Sequence, residues 1–145
     1  MALYFECAVR YDKTLENGSV RKVTDKYLVD ALSFTEAETR LIEAVTPGIS
    51  GEFSIPSIKK TKIAEVFNTD ADRFFLAKVA FITLDEKTGV EKKSVSQILV
   101  GACDMENANI NFEDGMKGTL SDFELVSLAE TGIIGVISHN SEKSK

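Results

Sequence analysis

Phe5-Glu6-Cys7-Ala8-Val9-Arg10-Tyr11 and Phe75-Leu76-Ala77-Lys78-Val79-Ala80-Phe81 stand seventy positions apart and share one pattern. In the first, Phe5, Cys7, Val9 and Tyr11 alternate with Glu6, Ala8 and Arg10, the period of two that a half-buried strand requires. The second is a strand of the same phase, apolar on both faces. Working outward, Leu28-Val29-Asp30-Ala31 falls over Leu99-Val100-Gly101-Ala102, and Glu52 to Ile58 falls over Asp122 to Leu128. Thr61, Ile63 and Val66 then match Thr131, Ile133 and Val136. The register slips by one residue near the first turn, as a small loop insertion would make it. The sequence therefore reads as a tandem duplication, and missing a repeat would spoil every later assignment.

Each half predicts strand, strand, helix, strand. Asn17-Gly18 supplies the first turn and Lys87-Thr88-Gly89 its counterpart, since these residues tolerate positive φ. Second strands are expected over about 20–29 and 94–100. Ser33 followed by Glu36 is a capping box, in which hydroxyl and carboxylate satisfy free backbone N–H groups. Phe34, Ala37, Leu41, Ala44 and Val45 then line one helical face, and Pro47-Gly48 ends the helix. Asp104 caps the second helix, with Met105, Ala108, Phe112 and Met116 on its apolar face. Third strands run over 53–58 and 123–128, with Pro56 marking an edge or a bulge. The expected class is α+β: a mostly antiparallel, six-stranded sheet with two helices on one face. The first repeat spans residues 1–67 and the second 73–137, packed as one compact domain around the polar linker Asn68 to Asp72. A polar tail covers 138–145.

Length and charge narrow the role. The chain has 145 residues, of which 43% are hydrophobic and 28% charged, with a formal net charge of −6. That balance weighs against a protein that coats nucleic acid. No apolar window is long enough for a membrane span, and the N-terminus lacks the basic and apolar regions of a secretory signal. A cytoplasmic protein is expected. Cys7 and Cys103 each sit in an apolar run and read as small buried thiols; with one His they fall short of a zinc site.

Catalytic chemistry finds no constellation. His139, the single histidine, lies in the polar tail without a nucleophile near it in sequence, and no phosphate-cradling glycine motif occurs. Asp70 and Asp72 read as a solvated loop pair. A non-enzymatic binder is expected. Its donors would be basic side chains, Arg as a planar fork and Lys as a point charge, beside an aromatic wall. Parity places Arg10 and Lys78 on the face away from the helices, with Tyr4 and Phe74 in the same phase. These four form the expected phosphate-and-purine set, and Lys59 and Lys60 are the next candidates. The strand from Phe74 to Leu84 is largely apolar on both faces, so another copy of the chain is expected to cover the side the helices leave bare.

Tyr27-Leu28-Val29-Asp30-Ala31-Leu32-Ser33-Phe34-Thr35-Glu36-Ala37-Glu38, Ile49-Ser50-Gly51-Glu52-Phe53 and Gly118-Thr119-Leu120-Ser121-Asp122-Phe123-Glu124 resemble a family classed as a domain of unknown function. Its members occur in Bacteroidetes and their phages. In size, lack of catalytic groups and inferred oligomeric face, the chain is also similar to phage proteins that sequester nucleotide immune signals, such as the Lockin sponges. That resemblance implies a homo-oligomer that binds a cyclic ADP-ribose-type nucleotide intact and so inhibits host defence. The competing expectations are a single-stranded nucleic-acid accessory protein and an interaction protein without a small ligand.

Overall fold

A computed structural model describes residues 3–49 and 51–138. The elements run β1 (Leu3–Thr14), β2 (Val20–Ala31), α1 (Phe34–Val45), β3 (Phe53–Lys60), β4 (Ile63–Phe67), β5 (Arg73–Leu84), β6 (Glu91–Ala102), α2 (Met105–Gly115), β7 (Asp122–Glu130) and β8 (Ile133–Ile137). The α+β class stands, but the single six-stranded sheet does not. The described residues form two four-stranded sheets, ordered β3-β1-β2-β8 and β4-β6-β5-β7. Two compact units follow: unit 1 comprises 1–61 with 132–145, and unit 2 comprises 62–131.

Unit 1 grows from the β1–β2 hairpin, paired antiparallel from Leu3↔Ala31 to Thr14↔Val20. Its turn needs Gly18 at φ 85, a conformation that a Cβ would penalise. Phe5, Cys7, Val9, Val29 and Ala31 face α1, which buries Ala37, Leu41 and Val45 against them. Ser33 Oγ accepts from the Glu36 N–H at 3.1 Å, and Glu36 Oε1 accepts from the Leu32 N–H at 2.9 Å. The box thus closes one residue before the cap. Phe34, expected in the apolar stripe, is mostly exposed, although its ring meets Phe5 edge-on at 4.9 Å. β3 adds to β1 with a bulge: Ala8 faces Ser57 and Arg10 faces Ser54, so Val9 opposes Ile55 and Pro56 together. Pro56 occupies both positions its chemistry allows, an edge strand and a bulge.

Unit 2 repeats these devices. β5 and β6 pair from Arg73↔Ala102 to Leu84↔Glu91, and β7 joins β5 with its own bulge between Lys78 and Val79. Asp104 Oδ1 accepts from the Asn107 N–H, while Asn107 Oδ1 reaches back to the Cys103 N–H at 3.1 Å. Ala77, Val79, Ile98, Val100, Phe112 and Met116 form the larger core cluster, and Phe75 packs with Ala102 and Ala108. Met105, expected on the buried face, is exposed at the first helical position.

The two short strands do not stay with the halves that precede them. β4, which follows β3, pairs in parallel with β6, from Ile63↔Gln97 to Phe67↔Val100. β8, which follows β7, pairs in parallel with β2, from Lys26↔Ile133 to Val29↔Ile137. At each crossing a threonine fixes the departing chain. Thr61 gives its N–H and hydroxyl to the Tyr4 carbonyl at 2.9 and 2.8 Å, and Thr131 does the same to Phe74 at 2.9 and 2.8 Å. The unit boundary therefore falls at Thr61 and Thr131, not in the linker at 68–72.

The face of each sheet away from its helix is also buried in places. Ala8, Leu28, Phe74, Ala80 and Leu99 are all buried within the single chain. Phe74 and Ala80 were to be covered by another copy, and that premise fails for them; of the strand's apolar residues only Leu84, at its far end, is largely exposed.

Candidate functional site

The six residues expected to bind a ligand do not converge within either unit. Arg10 is exposed in the middle of unit 1's sheet. Tyr4 shares its face but lies six residues away, roughly 20 Å along the strand. Lys59 and Lys60 are exposed at Tyr4's end of the sheet, opposite Glu6 and Phe5. Lys78 and Phe74 belong to unit 2. Lys78 is exposed between Gln97 and Ser127. Phe74 is 0% exposed and offers no ring face to a base, because its side of β5 is covered. His139 lies outside the described residues.

Around Arg10 the register assembles a different set. The strand pairings put Thr24 on one side of it and Ser54 on the other. The bulge at Val9 bends this edge and increases its twist, which re-aims the flanking side chains. Arg10 Nε donates to Thr24 Oγ1 at 3.4 Å, and its two Nη groups have no partner among the described residues. A cleft of about 210 Å³ opens here, lined by Arg10, Tyr11, Asp12, Lys22, Glu52, Phe53 and Ser54. Lys22 Nζ stands 3.7 Å from Asp12 Oδ1, on the exposed arm where the hairpin outruns β3. Tyr11 is fixed from behind: its hydroxyl donates to Asp25 Oδ2 at 2.8 Å, and that bond is the main cause that raises its pKa.

Charge distinguishes the two units. The seventeen basic side chains divide ten to unit 1 and seven to unit 2; the twenty-three acidic ones divide ten and thirteen. The whole excess of −6 lies in unit 2. Its hollow of about 240 Å³, lined by Asn68, Asp70, Ala71, Asp72, Ala102, Cys103 and Asn107, bears carboxylates and no cation. Among the described residues no group of three or more His, Cys, Asp or Glu could hold a metal ion.

The cysteines separate cleanly. Both are free; Cys7 is buried and Cys103, expected to be buried, is exposed beside the helix cap. Burial, reinforced by nearby Glu6, pushes the Cys7 thiol up to about 11. A maleimide at neutral pH will therefore label Cys103 once in the native protein, and Cys7 only after denaturant is added. Intact mass reads the difference, and native double labelling would contradict the buried Cys7 environment.

Ser54, Asp12, Glu52 and Phe53 were missed as site residues. A two-residue Asn17-Gly18 turn would pair Asp12 with Val23, one residue off the Lys22 it faces, so the Asp12–Lys22 pair was not legible in the sequence. Nor was Ser54, because the bulge breaks the count between β1 and β3.

Residues 3–139 match the model of a family described as a domain of unknown function, DUF4494. No curated protein and no solved structure matches the chain.

Proposed function

For a chain that belongs to DUF4494, a family defined without a known activity, we propose a role in holding a phosphate-bearing nucleotide without cleaving it, in the Arg10 cleft of unit 1. One observation carries this reading: Arg10 faces Ser54 across the β1–β3 pair with its Nη groups unengaged. A guanidinium fork matches two phosphate oxygens, and the Ser54 hydroxyl can donate to a third. Asp12 and Glu52 at the rim are acceptors suited to ribose hydroxyls, which a bare anion would not need. The cleft volume lies below the ~300–1,000 Å³ of sites that engulf drug-sized ligands. It suits one phosphate and its ribose with the base partly in solvent, hence modest affinity.

In its finer form the proposal makes the ligand a cyclic ADP-ribose-type immune signal, sequestered in the cytoplasm by a phage or Bacteroidetes protein. A basic stripe for single-stranded nucleic acid has less support, since the acidic excess of unit 2 opposes it. Calorimetric titration with AMP, ADP-ribose, cyclic ADP-ribose, inorganic phosphate and oligo-dT separates these readings. A nucleotide should bind more tightly than phosphate or oligo-dT and be recovered intact by mass spectrometry. A charge-assisted contact contributes roughly 1.5–3 kcal/mol, so Arg10→Ala should weaken binding about ten- to a hundred-fold with the fold unchanged. If no nucleotide binds at millimolar concentration, or if Arg10→Ala binds as the parent does, the proposal fails.

A further inference from the structure

We infer that a second copy of this chain pairs with unit 2 along the open edge of β6, independently of any nucleotide. β4 covers β6 only from Gln97 to Val100; among the described residues Glu91 to Ser96 have no strand on their outer side. The hairpin fixes which backbone groups are free. Asp85 N–H donates to the Val90 carbonyl at 2.9 Å, so strict alternation turns Lys92 and Ser94 toward β5 and leaves Glu91, Lys93 and Val95 pointing outward.

The side chains on this arm contrast with those of unit 1. Leu84, Val90 and Val95 are 63%, 54% and 61% exposed. The corresponding positions of the first hairpin are Thr14, Ser19 and Thr24, all polar. The two arms thus differ at these positions, with Leu84 and Val95 on one face of the sheet beside the unpaired edge, while the first arm exposes Val20 on its own open edge. Lysines usually guard such edges. Here Lys93 is drawn back across the sheet to Glu124, at 3.1 Å, which takes its charge away from the seam.

Symmetry then selects a register. A two-fold axis perpendicular to the sheet must pass through a residue that faces itself, so that matching faces stay on one side. Centring on Lys93 sets lysine against lysine. Centring on Val95 brings in Gln97, which β4 already occupies. Centring on Ser94 places Lys93 opposite Val95 of the second copy, with outward N–H and C=O groups on both. The two Val95 side chains then become diagonal neighbours at the middle of the seam. No like charges stand directly opposite each other; the two Lys93 share the other diagonal, each ion-paired to its own Glu124. The interface is self-complementary, which a foreign peptide would have no reason to match.

Five paired residues per copy bury less than the ~1,200 Å² of a tight complex, so the dimer should be weak and dependent on concentration. Because each unit 2 carries the acidic excess, added salt should strengthen it. Light scattering from about 10 μM to about 1 mM should show mass rising toward twice that of the chain, and Val95→Lys should hold it at one. The register has its own test in a Cys103→Ser background. Ser94→Cys brings two thiols across the axis at a non-hydrogen-bonded pair, about 4.5 Å between Cα atoms, and should link on mild oxidation. Lys92→Cys, equally exposed but roughly 13 Å from its copy, should not. A mass that stays at one chain throughout, or Ser94→Cys linking no faster than Lys92→Cys, overturns the inference. Should Ser94→Cys fail to fold, the parent and Val95→Lys decide by mass alone.

Discussion

Gly101→Ala will strip unit 2 of about 3 kcal/mol or more, because the added methyl has nowhere to go. A Cβ at Gly101 would fall inside contact distance of the Asn68 carbonyl oxygen and 2.8 Å from the Ala71 side chain. The obstacle is backbone, held in place from several sides. Asn68 sits at φ 60 and its Nδ2 donates to the Gly101 carbonyl at 3.1 Å; Asn111 Nδ2 donates to the same oxygen at 2.9 Å. Relief requires the returning linker to move and those bonds to break. At roughly 2–4 °C per kcal/mol for a chain of this size, thermal unfolding should fall by about 10 °C. Gly48→Ala is the control. Nothing lies within 4 Å of its would-be Cβ, so it should leave the midpoint where it was. Equal effects from the two substitutions would show that loss of glycine freedom, and not the close approach, sets the cost.

Phe112→Ala should cost about 3–5 kcal/mol, the usual range for emptying an aromatic site in a core. Phe112 is 2% exposed and lies between Phe67, at 6.5 Å between ring centroids, and Phe123, at 6.2 Å edge-on. Phe123 in turn meets Phe81 at 6.3 Å. The four rings come from α2, β4, β7 and β5, so one deletion loosens every layer of the unit. Gly115 has no Cβ because the Phe67 ring fills that space, which limits how far the neighbours can collapse into the void. Urea unfolding monitored by circular dichroism reads the loss as a lower midpoint. A shift under about 1 kcal/mol would mean that the cluster repacks freely, and would contradict the rigid arrangement of rings.

What the sequence disclosed follows from how local each signal is. β1 and β5 announce themselves through alternation, and the caps at Ser33 and Asp104 through residue type; both signals act within a few positions. β6 was read as starting at Ser94 but begins at Glu91, since Glu91-Lys92-Lys93 has no apolar member to mark a strand. β4 and β8 are five residues each, too short for a period to register. The self-comparison matches Thr61, Ile63 and Val66 with Thr131, Ile133 and Val136 but marks no strand there, and the partners, thirty or more residues away, leave no local signal. The same boundary divides the site. Parity along β1 put Arg10 on the face away from the helix, while its neighbour Ser54 depended on a bulge that no spacing rule reveals. Phe74 failed for another reason: alternation states which side a ring takes, never whether that side is filled.

The reciprocal crossing of β4 and β8 sets an order on the way the chain matures as it leaves the ribosome. Residues 62–131 are continuous, so unit 2 has every strand it needs once Thr131 has emerged. Unit 1 begins the sequence and yet finishes last. Its β1–β2 hairpin, α1 and β3 are made early, but the segment that borders Lys26 to Val29 is Ile133 to Ile137, more than a hundred residues downstream. Until those residues arrive, β2 presents an uncovered row of N–H and C=O groups to every other nascent chain nearby. Closure of that gap is a long-range event and therefore slow compared with the hairpins that precede it. The vulnerable interval in the life of this protein is the time between synthesis of its first sheet and delivery of that sheet's final strand.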